Sequence, residues 1–190
     1  MEVNQAIALR RSIRKFKSDP ISEETLHKVL EAVRLAPSWA NTQCWRLVVV
    51  NDPAIKEKLA GTTFGARGPV NRAADGLRGA PVAVAFCAAQ DAAGFSLNES
   101  KKPVTDKGEF WYMFDTALAM ENFCLAAAAS GLGTVITGAF EAKTAAEILN
   151  VPAGYTVVAL TPLGYPDETP EARPRKALSE IVFYNQFGAQ

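Results

Sequence analysis

The chain is poor in the residues that carry most nucleophilic and metal chemistry. Among 190 residues it has one histidine, His27, and three cysteines, Cys44, Cys87 and Cys124, and its twenty basic residues are balanced by twenty acidic ones. Any Ser-His-Asp or Cys-His arrangement would have to use His27, and no G-x-S-x-G elbow accompanies it, which argues against nucleophilic hydrolysis. His27 also falls on the polar side of a helical pattern over residues 22–36, away from Leu26, Val29, Leu30 and Val33, and so reads as a surface residue. The cysteines are odd in number with no C-x-x-C pair, which argues against a disulfide framework or a zinc site and suits a reducing cytoplasm. Asp and Glu are scattered without histidine partners at ligand spacing, so no metal site is expected. Zero net charge removes the global basic field that duplex DNA or an anionic membrane would need, and neither is an expected partner. The start, MEVNQAIALRR, lacks a long apolar run behind a basic stretch, and neither a signal peptide nor a lipid anchor is expected.

Long hydrophobic runs are also scarce. The segment 110–129 is apolar for most of its length and, as a helix, would span roughly 30 Å. It contains Asp115, Glu121 and Asn122, and a central Asp alone costs about 2.5–3.5 kcal/mol on insertion scales. A buried soluble helix is therefore expected, and a helix apolar nearly all round points to packing on a second subunit. GLGTVITG (131–138) is not a dinucleotide fingerprint: Ile136 stands where the third glycine belongs, and the glycines follow a helix and lead into a strand rather than the reverse. Gly131 and Gly133 are expected to end the long helix with positive φ. Gly138 is expected to end a short strand over 135–137, where the lack of a side chain lets backbone N–H groups approach a planar ligand.

What is present alternates helical and strand patterns without an internal repeat. Ser22 can cap the helix over 22–36, with Glu23 and Glu24 at the positive end of its dipole and Ile21 and Leu26 placed as a staple. Pro37 stops that helix. Residues 47–50, 80–88 and 155–163 read as strands. Residues 53–60 and 142–149 read as short helices, 61–79 and 89–107 as loops, 166–174 as an extended proline-rich connection, and 180–184 as a strand near the chain end. The whole predicts one domain over 1–190 of α+β class around a small mixed, mainly antiparallel sheet.

Positive charge is neutral in total but clustered in place. RRSIRKF (10–16) packs four cations and a hydroxyl into seven residues, and Arg173, Arg175 and Lys176 form a second cluster. Between them lies PSWANTQCW (37–45), rich in amide, hydroxyl and indole groups. Two cationic clusters and an amide-rich turn suggest a phosphorylated, aromatic ligand.

RRSIRKF, P-S-x-x-N-x-Q-x-W, the long apolar helix closing in GLGT, the V-I-T-G segment, PLGYP and the RPRKALSEIVFYNQFG tail occur in this order between Val3 and Gly188. In that combination the chain resembles the nitroreductase family. The resemblance implies an α+β homodimer with the long helix in its interface, FMN bound at two sites between the subunits, and NADPH or NADH as reductant. Arg10, Arg11 and Ser12 resemble the residues that hold phosphate and ribityl, and Arg173 and Arg175 match the C-terminal basic pair. Arg14 corresponds to a cation near the pyrimidine side of the ring. Pro37, Ser38 and Asn41 resemble a segment contributed by the other subunit, with Gln43 as an additional contact. Thr137 and Gly138 match the position whose backbone N–H groups face flavin N5. The implied activity is ping-pong reduction of a small-molecule acceptor such as a nitroaromatic or quinone, with no catalytic side chain because the cofactor carries the chemistry. A specialised dehalogenase or ene-reductase on the same fold, or a non-catalytic FMN-binding redox sensor, are the alternatives. Cys44 stands where many relatives have proline, and Ala128 where a histidine is common.

Overall fold

The computed structural model describes residues 1–65, 71–98 and 101–188. A four-stranded sheet lies at its centre: β1 (Trp45–Val50), β2 (Val82–Ala89), β3 (Gly133–Thr134) and β4 (Tyr155–Gly164), in the order β1-β2-β4-β3. Every paired neighbour is antiparallel, with the extra residue Val158 of β4 bulging opposite Phe86 and Cys87. Among the described residues the parallel component is a single bridge between Ser12 and Thr134.

Helices cover both faces, and this explains why β2 is a continuous apolar run rather than an alternating one. Val82, Val84, Phe86 and Ala88 point into one core with Val29, Val33, Met120 and Phe123. Ala83, Ala85 and Cys87 point into the other with Leu59, Leu77, Phe140 and Ala145. Period-two alternation thus feeds two cores from one strand.

On the first face, α2 (Glu23–Arg34) starts where Ser22 Oγ accepts the Thr25 N–H at 3.2 Å, with Glu23 and Glu24 in its first turn and Arg34 in its last. It packs on α5 (Trp111–Ala129), and Asn122 Nδ2 ties the two by donating to Ala32 O at 3.0 Å. The expected termination of α5 holds at Gly131, whose φ is +75° and whose N–H reaches Ala128 O while Leu132 N–H reaches Ala127 O. No helix among the described residues is long and apolar enough to cross a membrane.

On the second face lie α3 (Pro53–Gly61), α4 (Arg72–Gly79) and α6 (Ala142–Ile148). Asp52 caps α3 by accepting from Ala54 and Ile55 N–H groups. Buried Lys56 fastens α3 to the start of β2: its Nζ donates to Ala80 O at 2.5 Å, which satisfies an ammonium that burial pushes below its ordinary pKa.

Four expectations are corrected. The segment 61–79 is not all loop, because α4 occupies its end; Asn71 caps it by accepting the Ala74 N–H. The strand near 135–137 is displaced to Gly133–Thr134, and Thr137 makes only an isolated bridge to Leu160. Gly133 does not end the helix with positive φ; it sits in β3, where a Cβ would stand 2.7 Å from Ile13 Cβ. Residues 180–184 form no strand. Glu180 ends a short 3-10 turn, Leu178–Glu180, and the residues after it pair with no strand of the described sheet. Nor was α1 (Val3–Leu9), which precedes RRSIRKF, foreseen.

Candidate cofactor site

RRSIRKF leaves α1 at Arg10 and runs along the β3 edge of the sheet. Ile13 N donates to Thr134 O at 2.9 Å. Further on, Phe16 bridges Pro166, Lys17 N donates to Tyr165 O at 2.9 Å, and Asp167 N donates to Lys15 O at 3.0 Å. The segment that follows β4 is therefore zipped to this one. Ile13 is buried, and its neighbours Ser12 and Arg14 point the other way, as extended chain requires.

That other side is the wall of a cavity of about 600 Å³, lined by Arg10, Arg11, Ser12, Arg14, Arg72, Arg173 and Arg175 with Glu168, Pro170 and Glu171. The two sequence-distant basic clusters meet there. Arg72, on the first turn of α4, and Glu168 were not foreseen. The signal for Arg72 was an Asn71 cap ahead of Ala74 and Leu77 at helical spacing, masked by the glycines around it.

None of these six guanidinium groups forms an ion pair within 4.0 Å with a described residue. Glu168 instead accepts backbone N–H groups, from Arg14 at 2.5 Å and Lys15 at 3.2 Å, so its carboxylate fastens the segment rather than neutralising a cation. Arg11 Nη1 folds back on Ala8 O (2.7 Å) and Arg10 O (2.9 Å), closing α1. Each guanidinium has five donors, so the cavity retains donor capacity directed at an anion. This donor set fits the phosphate of FMN.

The other expected residues stand apart from the cavity. Ser38, Asn41 and Gln43 form a turn after Pro37: Ser38 Oγ accepts the Gln43 N–H at 2.9 Å, and Gln43 Nε2 donates to Asn41 Oδ1 at 3.2 Å. Ala40, Asn41 and Gln43 all have positive φ (43°, 57° and 45°). Beneath the turn lies Asp115 of α5, 1% exposed, whose Oδ2 accepts the Trp39 N–H at 2.9 Å and stands 4.0 Å from Cys44 Sγ. Burial pushes the Asp115 carboxyl above its ordinary value, and the Trp39 N–H opposes that shift. Thr137 pairs its backbone with Leu160, and its buried Oγ1 has no hydrogen-bond partner among the described residues. A Cβ at Gly138 would meet nothing within 4 Å. Asn71 is already occupied, donating from Nδ2 to Thr63 O and Oγ1.

The thiols are buried and free. Burial pushes Cys44 and Cys87 up to about 11 and raises Cys124 as well. Iodoacetamide at pH 8 is therefore expected to label none of them in the native protein and all three after denaturation, read by intact mass. Because the folded state favours the neutral thiols, their contribution to stability is full below the ordinary thiol pKa and declines as pH rises toward about 11.

The family model described as "Nitroreductase family" matches residues 7–165. The chain belongs to this family. The 5,6-dimethylbenzimidazole synthase of Rhodospirillum rubrum is 34% identical over 173 residues, covering 84% of this chain and 79% of that protein. The FMN reductase (NAD(P)H) of Bacillus subtilis is 28% identical over 181 residues, covering 92% and 70%. Among solved structures, nitroreductase A from Vibrio parahaemolyticus superposes with a TM-score of 0.84 at 29% identity, covering all of this chain and 78% of that one. The expected nitroreductase fold, α+β around a mainly antiparallel sheet, is the fold of this family member.

Proposed function

We propose that this nitroreductase-family chain is an NAD(P)H-dependent FMN oxidoreductase that reduces nitroaromatics, quinones or related small acceptors. The observation that carries the reading is the cavity in which six arginines converge without carboxylate partners among the described residues. Bound there, FMN supplies the hydride-transfer centre that the chain's own side chains lack.

The residues bind and orient. Arg10, Arg11, Ser12, Arg173 and Arg175 hold phosphate and ribityl, and Arg72 adds a further cation to that wall. Arg14, which lines the same cavity, would lie toward the pyrimidine side, where positive charge would favour added electron density on the ring. Ser38, Asn41 and Gln43, with Pro37, would contact the ring from a second subunit, while Gly138 would offer a backbone donor at its N5 edge; the Thr137 N–H, expected to do the same, is instead spent on Leu160 O at 2.9 Å. A homodimer fits the apolar surface that α5 leaves uncovered, with Phe114 58% exposed beside Phe110 and Met113. Free buried thiols suit a cytoplasmic setting.

The test is spectroscopic. Freshly purified protein is expected to be yellow, to bleach on addition of NADPH or NADH, and to recover its colour with acceptor. Steady-state rates should give the parallel double-reciprocal lines of a ping-pong scheme, and His27→Ala should turn over at the wild-type rate, since His27 is exposed on α2 and does not line the arginine cavity. Colourless protein that takes up no FMN would overturn the reading, as would intersecting lines with a demonstrable ternary complex. The alternative is specialised flavin chemistry on the same fold, such as dehalogenation or ene reduction; the 34% identity to a relative named a synthase supports only that chains this similar do more than reduce nitroaromatics. Turnover of haloaromatics or enones in preference to nitroaromatics and quinones distinguishes it.

A further inference from the structure

Asp115 is the one acidic group on the buried face of an otherwise apolar stretch of α5, where Thr116, Ala119, Met120 and Phe123 are its buried neighbours. A carboxylate in such surroundings destabilises the fold unless something compensates. Its strongest polar contact is not to another charge but to the backbone: the Trp39 N–H, 2.9 Å from Oδ2. Trp39 opens the short 3-10 turn Trp39–Asn41, and the residues after it have unusual backbone conformations.

Ala40, Asn41 and Gln43 occupy left-handed space within four positions, and Ala40 at φ 43°, ψ 30° has no side-chain hydrogen bond to offset its Cβ clash. Non-glycine residues in this region are strained and persist only where surrounding contacts over-determine them. The turn closes on itself through Asn41 N–H to Ser38 O (3.1 Å) and Thr42 N–H to Trp39 O (2.8 Å), and other groups fasten it to its surroundings. Ser38 Oγ accepts the Gln43 N–H, Arg46 Nη1 donates to Gln43 O at 3.0 Å, and the Trp39 and Trp111 rings meet edge to face with centroids 5.0 Å apart. Ser38 and Arg46 act at the Gln43 end of the turn; Asp115 holds its Trp39 end, from a helix whose position is fixed by the core.

We propose that Asp115 is a positioning residue for the flavin-contacting turn: by accepting the Trp39 N–H it holds the turn over 38–43, with Ala40, Asn41 and Gln43 left-handed, in the form that presents Ser38, Asn41 and Gln43. The role needs an acceptor oxygen at that point, not a negative charge. It therefore separates an amide replacement, which keeps the acceptor, from any replacement that lacks it. The assignment rests on the proposed contact between this turn and FMN, but the clamp itself is a property of the chain.

The experiment reads both parts. FMN release from holoenzyme on dilution is followed by flavin fluorescence, and exchange of the Trp39 amide by hydrogen–deuterium exchange, for wild type, D115N, D115A and A40G/D115A. D115A is expected to weaken FMN retention at least tenfold and to speed Trp39 exchange at least tenfold. D115N is expected to stay within threefold of wild type in both. Ala40→Gly on the D115A background should recover much of the lost retention, because glycine adopts this backbone without a Cβ penalty. Should D115A not fold, D115S replaces it, since a serine hydroxyl is an atom too short to reach the Trp39 N–H. Wild-type FMN retention in D115A or D115S, or a loss in D115N as large as in either, would overturn the proposal. A wild-type protein that holds no FMN refutes the flavin reading alone, and Trp39 exchange then still decides whether the clamp exists.

Discussion

Replacing Arg10 or Arg175 by alanine is expected to weaken FMN binding by about 1.5–3 kcal/mol, roughly 10- to 150-fold, with little change in melting temperature. Both side chains line the same cavity but come from opposite ends of the chain, Arg10 from the exit of α1 and Arg175 from the exposed segment beyond β4. Neither makes an ion pair within the described residues, so removing either leaves no carboxylate stranded and stability has little to lose. A phosphate carrying about two negative charges would instead lose a charged, forked hydrogen bond. The paired variant should fall short of the sum, because both cations address one anion and the four remaining guanidinium groups can close on it. Arg72→Ala is expected to act in the same direction. FMN titration at two ionic strengths checks the cause: the deficit should narrow at high salt, where screening weakens the wild-type contact. Unchanged affinity in both single variants would remove phosphate binding from their roles.

How far the sequence could be read depended on whether a signal was local. The cap at Ser22, the apolar stripe of α2 and the runs that became β1, β2 and β4 are local patterns, and each appears within two residues of its expected place. The convergence of RRSIRKF with Arg173 and Arg175 was legible because like charges gather without partners only where an anion is expected. Arg72 was not legible. Its helix is short and contains Gly76 and Gly79, which dilute the helical pattern. Residues 180–184 read as a strand because Ile181, Val182 and Phe183 are β-formers, yet propensity cannot supply a neighbouring edge, and all but Phe183 are exposed. Glycine roles showed the same limit. Gly131 follows from its place after a helix, whereas Gly133 is explained only by a residue 120 positions away in sequence, Ile13.

Gly133 therefore carries the second large effect. Gly133→Val is expected to lower the melting temperature and FMN retention together, whereas the arginine variants lower only the second. A Cβ at Gly133 would stand 2.7 Å from both Cβ and Cγ1 of Ile13 and 3.0 Å from Cγ2. The far side cannot simply retreat: Ile13 is buried, and its N–H is bonded to Thr134 O at 2.9 Å, one residue along the same strand. Relief requires either a strained Ile13 rotamer or lifting RRSIRKF off the β3 edge, and overpacking of this kind costs about 1–3 kcal/mol, sometimes more. Lifting the segment moves Arg10, Ser12 and Arg14 with it, since Ile13 lies among them and Glu168 grips only the Arg14 and Lys15 end. Catalytic groups misplaced by an ångström act poorly, and the same applies to a fork of donors aimed at phosphate. Shortening the opposing side chain should relieve the clash, so Ile13→Ala on the Gly133→Val background is expected to recover FMN retention more fully than stability, because the vacated core volume remains unfilled. Thermal unfolding of the apoprotein and FMN titration of each variant separate the two effects. A Gly133→Val protein with wild-type stability and wild-type FMN affinity would show that the close approach of the N-terminal segment to β3 does not position the arginines.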